Sequence, residues 1–327
     1  MVAGVTTLIP TLRVSSPDDL LAAVPVLLGF HPEQSVVVAH LHGGRFGCVA
    51  RADLADMLRP GVPRAVLAAL RAEADRDGGS LVIVAYGNEP TASRQAAERV
   101  EQELGVPVTT SIVVAGDRWW FTDDPQGAGS LHDPRGSRVA AEAAFAGRTV
   151  LPTRGDVARL FLPARGQRRV AARTLGTALQ TVALLPDGEA QVMLREAIDE
   201  FAAASPPRLS GRDCALLVAL ADHPRGRLAF WERLSPETAP MLVEMWLQVS
   251  RRFHPEQSVV ASCLVGFAAW QTGAGALMTL ALDRAESGGG TGEVVDLLRT
   301  IYAGAVPPGD LELARGLGLF EPDRLAS

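Results

Sequence analysis

The chain has 327 residues, of which 47% are hydrophobic and 21% charged, and its formal net charge is −6. This length suits two domains of ordinary size, and the composition is typical of a globular protein with a sizeable core. The negative charge balance argues against extended contacts with a phosphate backbone, so we expect no nucleic-acid partner.

Three cysteines, Cys48, Cys214 and Cys263, lie far apart and form no CxxC pair. This usage is typical of small buried residues in a reducing compartment. The first residues lack the pattern of a signal peptide, and Pro, Gly or charge interrupts each apolar stretch before membrane-spanning length. We therefore expect a cytoplasmic protein with no membrane partner.

The first part of the chain alternates strand and helix signals. After a short strand at residues 11–14, Ser16 and Pro17 predict the start of a helix, and Gly29 predicts its end. The runs at 35–41 and 45–54 predict a β-hairpin. The pattern then predicts a helix at 63–76, a strand at 80–86, a helix at 91–104 and a strand pair at 107–114 and 118–121.

This order predicts an α/β domain, with a mixed sheet and flanking helices, over residues 1–136. The last part of that range, Thr122 to Gly136, is rich in Gly, Pro and Asp and predicts a long loop.

Beyond residue 136 the pattern is helical, which predicts an all-α domain over residues 137–327. Helices are expected at 137–146, 154–162, 167–184, 188–204, 211–222, 225–233, 236–252, 256–272, 274–286, 292–303 and 309–317. Small residues after Phe267-Ala-Ala-Trp270 resemble one tetratricopeptide unit, and a helical hairpin in a core explains them equally well.

The octapeptide FHPEQSVV occurs twice, at Phe30–Val37 and at Phe253–Val260. The residue before Pro disfavours helix, and Pro suits a first helical turn. We therefore expect both copies to stop a helix and restart the chain with a Pro-led turn. A shared turn is one interpretation, and a paired ligand or interface role is the other.

The first copy brings together the catalytic candidates, which are His31, Glu33, Ser35 and, from the neighbouring strand, Asp53. In a catalytic hypothesis Ser35 is the nucleophile, His31 the base and Asp53 its orienter. Residues this close in sequence rarely assemble a triad, and Ser35 lies in no G-x-S-x-G motif. In the alternative, Ser35 and Glu33 satisfy backbone donors.

Two further groups of residues could bind a metal, but their spacing in the sequence does not match a known metal-binding motif. His40 and His42 form an H-x-H pair that lacks clear further zinc ligands. The loop residues Asp123, Asp124, His132 and Asp133 match no calcium loop, so no metal site is predicted.

A glycine-rich segment at 288–292 precedes a helix but lacks the P-loop Lys, which favours a flexible connection. No cofactor is predicted. Trp119 and Trp120 are adjacent on a strand, so they point to opposite faces, and an exposed Trp would mark a binding site.

Several segments together resemble the actinobacterial family called domain of unknown function 4192. The segments are 14–25, 28–38, 51–54, 82–86, 116–120, 146–154 and 267–270. The resemblance spans nearly the whole chain and implies no assigned activity. Members often carry a Cys- and Pro-rich stretch after the double Trp, whereas Thr122–Gly136 here contains no Cys. The resemblance also implies that the Gly29–Ser35 turn matters chiefly in the first copy.

We expect a non-enzymatic binding or regulatory protein with a groove on the α/β domain and a helical platform for a protein partner. The expected ligand-binding residues are Phe30, His31, Glu33, Ser35, Arg51, Asp53, Tyr86, Trp119 and Trp120. The alternative is an enzyme that acts on a small anionic metabolite at the same groove. There Arg51 would clamp the anion, and Asp53 or Glu33 would move protons.

Overall fold

A computed structural model describes residues 14, 16–42, 45–59, 70–71, 75, 79–124, 127–133, 136–145, 149–163, 167–186, 188–303 and 306. The predicted strand at 11–14, apart from Val14, lies outside the described residues, as do most of the helix at 63–76 and all of the helix at 309–317. The predicted hairpin turn falls partly on residues 43–44, which are also outside.

The chain divides into two compact units. The α/β unit runs to Arg154 and includes residues 303–307, and the helical unit takes in 155–302 and 308–327. The division falls after Arg154, whereas the sequence pattern suggested a boundary after Gly136. The reason is packing, since the helix Arg138–Phe145 buries Val139 and Ala143 against the first helix of the α/β unit.

The α/β unit contains a six-stranded mixed sheet, as its alternating pattern predicts. The strands, in chain order, are β1 Ser35–His42, β2 Arg45–Asp53, β3 Ser80–Tyr86, β4 Val108–Ala115, β5 Arg118–Phe121 and β6 Ser130–Leu131. Their order across the sheet is β2-β1-β3-β4-β5-β6. Only the β3–β4 pair is parallel, and the four other pairs are antiparallel.

Strand β6 lies within the stretch that was predicted to be a long loop. Its two residues pair with β5, with Leu131 opposite Arg118 and Ser130 opposite Trp119. Two residues carry no periodicity, so the pairing depends on the partner strand and could not be read from the local pattern.

Helices cover both faces of the sheet. These helices are α1 Pro17–Leu28, α2 Leu54–Met57, α3 Pro90–Leu104 and α4 Arg138–Phe145. Helix α1 has the predicted ends, because the Ser16 hydroxyl accepts a hydrogen bond from Asp19 N and Gly29 closes the helix at φ 79°.

The two longer helices lie on opposite faces. Leu20, Leu21 and Val24 of α1 pack with Val37 and Val84 on one face of the sheet. Ala96, Ala97 and Val100 of α3 pack with the other face, on Val36, Val38 and Ile83. The strands are thus buried on both sides, which explains their continuous apolar runs.

The rest of the described chain is helical, which confirms the predicted fold class. Its helices are α5 Arg154–Arg159, α6 Gln167–Ala183, α7 Glu189–Ala203, α8 Gly211–Asp222, α9 Leu228–Arg233, α10 Ala239–Ser250, α11 Val259–Gln271, α12 Gly275–Ser287 and α13 Glu293–Ala303, with a 3-10 turn at Pro255–Gln257. From Ala261 to Gln271 every residue of α11 is buried, so α11 is the core helix of this unit.

No helix among the described residues is both long and apolar enough to cross a membrane.

Candidate functional site

The first octapeptide copy is extended and contains no helical turn, which corrects the prediction of a Pro-led turn there. The backbone of His31 donates to Leu151 O (3.1 Å), and Leu151 N donates to Gly29 O (2.8 Å). This short bridge joins the chain at Phe30 to Leu151, and the chain bends at Gln34 before β1 begins at Ser35. Gln34, just before the strand, has φ 45°, a left-handed conformation that is rare for a residue with a side chain.

The second copy does form the predicted turn. Pro255–Gln257 is a 3-10 helix, and Phe253 before it is fully buried. Arg284 holds this segment by donating to Phe253 O (2.8 Å) and to Ser250 O (3.0 Å). Eight identical residues therefore adopt two conformations, because their hydrogen-bonding partners differ. The paired ligand or interface role of the two copies stays a prediction.

The pairing register aligns several predicted site residues on one face of the sheet. Asp53 lies opposite Ser35, Ser35 opposite Tyr86, Tyr86 beside Val114, and Val114 opposite Trp119. Directly paired residues share a face, and this is the face that α1 covers. Trp120, next to Trp119, points to the other face, as strand alternation predicts.

Most of this row is core and does not form an open groove. Tyr86 and Trp119 are 7% and 8% exposed and pack with Leu20 and Leu21 of α1. Ser35 is fully buried, and Phe30 is 2% exposed. Helix α1 fills the groove that the sequence suggested at Tyr86 and Trp119, so within this row only Asp53, at one end, is exposed.

The predicted catalytic arrangement around Ser35 is not assembled. The Ser35 hydroxyl donates to Glu33 O (3.1 Å), so its bond is local, although it satisfies a backbone acceptor and the alternative expected a backbone donor. Asp53 pairs with Arg51 (2.7 Å) and does not orient a base. A fully buried hydroxyl engaged with a carbonyl is not available as a nucleophile in this conformation.

Arg51 and Asp53 lie far from the tryptophans. They are on β2, four strands away from Trp119 on β5, and at a strand spacing of about 4.8 Å that is about 19 Å. The Arg51 guanidinium pairs with Asp53, and its role as the clamp for an anion stays a prediction. The predicted groove from Arg51 to Trp119 is therefore not one continuous site.

Several polar side chains meet at the start of α1, and sequence analysis did not predict that they lie together. Trp119 Nε1 donates to Asp18 Oδ1 (3.2 Å). His132, brought here by β6, donates its backbone N–H to Asp117 O (2.8 Å). Burial lowers the pKa of His132, the nearby charges of Asp18 and Asp133 oppose that shift, and His31 adds to it. No local signal predicted this group, since it depends on the pairing of β6.

The loop acids do not make a metal site in the described part of the chain. None of the described residues form a group of three or more His, Cys, Asp or Glu that could hold a metal ion. Instead, Asp123 lines an open cleft of about 500 Å³ with Glu98 and Glu101 of α3. His40 is buried and His42 exposed, so the predicted H-x-H pair does not share one environment.

Two connections diverge at one end of the sheet, next to the Ser35–Tyr86 pair. The chain enters β1 from α1, on one face, through Gly29–Gln34. It leaves β3 toward α3, on the other face, through Gly87–Glu89. We call this end of the sheet the β1–β3 crevice and define it by Gln34, which is exposed, and by Ser35, Tyr86 and Gly87, which are buried beneath it.

Two buried hydroxyls flank Gly87 and have no hydrogen-bond partner, those of Tyr86 and Ser93. Burial raises the pKa of Tyr86 far above its usual value, so the phenol stays protonated. Sequence reasoning missed Gln34, Gly87 and Ser93. A Gly directly after a buried strand and shortly before a helix was the available signal for Gly87.

In the helical unit the glycine-rich segment has a packing role. A Cβ on Gly288 would lie 2.5 Å from Pro255 O, and one on Gly290 would lie 2.5 Å from Ala285 O. Gly266 of α11 similarly admits Leu298 of α13. Of the small residues after Trp270, Ala281 and Ala285 are buried in α12, whereas Gly273 is exposed. The hairpin and tetratricopeptide interpretations of this segment both stay predictions.

The model of one protein family, described as domain of unknown function (DUF4192), matches residues 17–309. No curated protein and no solved structure gives a significant match to the chain.

Proposed function

The chain belongs to the DUF4192 family, and we propose that it is a binding or regulatory protein that holds a small polar ligand in the β1–β3 crevice. The helical unit then offers a surface to a protein partner. The proposed compartment is the cytoplasm, which agrees with the buried free thiols of Cys214 and Cys263.

The observation that carries the proposal is the divergence of the two connections beside the Ser35–Tyr86 pair. In open α/β sheets, ligands bind outside the strand ends where neighbouring connections leave to opposite faces. Here the two neighbours are antiparallel, so the start of β1 meets the carboxyl end of β3. The connection into β1 and the connection out of β3 therefore still leave to opposite faces of the sheet. Polar backbone and side-chain groups lie at the edge of the crevice between them.

Gln34 supports this location. Its left-handed backbone costs about 1 kcal/mol or more, and such strain is concentrated at ligand sites and switch regions. Gln34 O accepts a hydrogen bond from Leu54 N (2.8 Å), which fixes the residue between β1 and α2. The exposed side chains of Glu33, Gln34 and Asn88 supply donors and acceptors for a polar ligand.

The enzyme alternative is favoured by one observation, the charges that surround His132. Burial lowers the pKa of its imidazole and His31 lowers it further, whereas Asp18 and Asp133 raise it. A histidine with charged neighbours is suited to proton transfer. In this version of the enzyme hypothesis, His31 and His132 transfer the proton. Ser35, Arg51 and Asp53 take no direct part in the reaction.

A partner surface on the helical unit is supported by exposed apolar side chains on α6, α7 and the segment between them. Leu184 is 85% exposed, and Leu179 and Val192 are 40% and 44% exposed. Clustered exposed apolar side chains are typical of sites of protein association.

Native mass spectrometry of the full chain, purified without dialysis, tests the proposal. We expect a small-molecule adduct on the wild type that is absent from Gly87→Val, whose side chain overlaps Ser93 and Leu54 beneath the crevice. Circular dichroism establishes that the variant is folded before the two spectra are compared. Gly116→Ala, at a left-handed glycine in the β4–β5 turn with open space around it, is the control for strain alone and should keep the adduct. A wild type without an adduct, or equal adducts in all three chains, contradicts the proposal.

A further inference from the structure

The N-terminus of α3 opens toward the β1–β3 crevice and is uncapped. Glu89 occupies the cap position without a side-chain hydrogen bond to the helix, and Pro90 follows it. Among the described residues, none accepts a hydrogen bond from the amides of Thr91 or Ala92. The aligned peptide dipoles give such an end a partial positive charge, which is suited to an anion.

A second observation at the same place is the Ser93 hydroxyl. The side chain is fully buried, and its oxygen has no hydrogen-bond partner. It points at Gly87, since a Cβ on Gly87 would lie 2.3 Å from Ser93 Oγ. A buried hydroxyl without a partner is costly, and an acceptor supplied from outside the chain at this helix end would remove that cost.

We propose that the start of α3 binds a phosphate group of the small ligand, using the amides of Thr91 and Ala92 and the hydroxyl of Ser93. This inference rests on the proposed function and gives the ligand its chemical class. The two amides and the hydroxyl then donate three hydrogen bonds to one phosphate. Because Gly87 has no side chain, the backbone at the end of β3 can come close to that phosphate.

Two features of the site set the expected behaviour. Ser93 Oγ is shielded from solvent, so binding displaces the Gly87–Glu89 connection enough to admit one phosphate oxygen. The carboxylate of Glu89 stands at the same helix end and opposes an anion, so its removal strengthens binding.

The test is a titration of the full ¹⁵N-labelled chain with inorganic phosphate, followed by amide NMR, with sodium chloride at the same ionic strength as the control. We expect saturable shifts of Thr91 and Ala92 with phosphate and none with chloride. Ser93→Ala should weaken phosphate binding at least about tenfold. Glu89→Gln should strengthen it.

Shifts that do not saturate, or that chloride reproduces, overturn the inference, and so does saturation by acetate without saturation by phosphate. Unchanged phosphate affinity in Ser93→Ala, with an unchanged melting temperature, also overturns it. A chain that retains a small adduct in native mass spectrometry and gives no phosphate response refutes this inference alone. A chain that has neither a small adduct in native mass spectrometry nor a phosphate response in NMR refutes the proposed function as well.

Discussion

The indole N–H of Trp119 donates to the carboxylate of Asp18 across 3.2 Å, which joins β5 to the first turn of α1. The two residues are 101 positions apart in the chain. The bond orients α1 over the sheet face that carries Tyr86, and it keeps an acid beside His132.

Asp18→Ala is expected to lower the free energy of unfolding by about 1 kcal/mol, because a buried indole N–H loses its acceptor. Asp18→Asn keeps an acceptor oxygen and should retain most of the stability. Urea denaturation followed by tryptophan fluorescence measures both. If both variants lower the free energy of unfolding by the same amount, the negative charge at the start of α1 stabilises the fold and the hydrogen bond to Trp119 does not.

His132 gives the chain a pH dependence with a defined sign. Its folded pKa is below the usual 6.5, so folding favours the neutral imidazole. The contribution to stability is complete above about pH 6.5 and falls as the pH drops toward the folded value. Melting temperatures of wild type and His132→Asn should therefore converge below pH 6. Asp18→Asn should lower the pKa of His132 further in an NMR titration, because Asp18 raises it.

If the melting temperatures of wild type and His132→Asn differ by the same amount from pH 5 to pH 8, the imidazole does not titrate differently in the folded state, and this account of His132 is wrong.

Two fully buried serines offer a matched pair for stability. Ser93 has no hydrogen-bond partner, whereas Ser262 bonds to Ser250 Oγ (2.8 Å) and Ser258 O (2.8 Å). Ser93→Ala should leave the free energy of unfolding unchanged or raise it, and Ser262→Ala should lower it by about 1–2 kcal/mol. Differential scanning calorimetry of the two variants gives the comparison. A clear loss in Ser93→Ala would mean that its hydroxyl has a structural partner in solution.

Gly87→Ala should destabilise the α/β unit by about 1–3 kcal/mol, because the new methyl group overlaps Ser93 Oγ. The double variant Gly87→Ala with Ser93→Ala should recover part of that loss. In it the nearest atom of residue 93 is a Cβ at 3.7 Å, although Leu54 Cδ2 at 3.1 Å stays tight. Double-mutant analysis of urea midpoints measures the coupling. Additive losses would show that the two residues do not meet.

The parts of the fold that local signals decide could be predicted from the sequence. Ser16 with Pro17 and then Gly29 define α1, and Ser210 with Asp213 forms a capping box at the start of α8. These elements depend on groups within a few residues, so their ends follow from the sequence alone.

The site depends on partners distant in the chain, and its prediction was less complete. The octapeptide is extended where Leu151 bonds to it and turned where Arg284 holds it. The residue types near Ser35 and Tyr86 were recognised, but burial by α1 removes most of them from any open groove. His132 reaches Asp18 only because β6 pairs with β5.

Hydrogen–deuterium exchange of the full chain tests the central claim, the ligand crevice between β1 and β3, most directly. The chain is compared as purified and after unfolding, ligand removal and refolding. We predict that ligand removal accelerates exchange at residues 30–36 and 86–93, with α6 and α7 unchanged. Identical exchange in both samples, or protection confined to the helical unit, would contradict the claim.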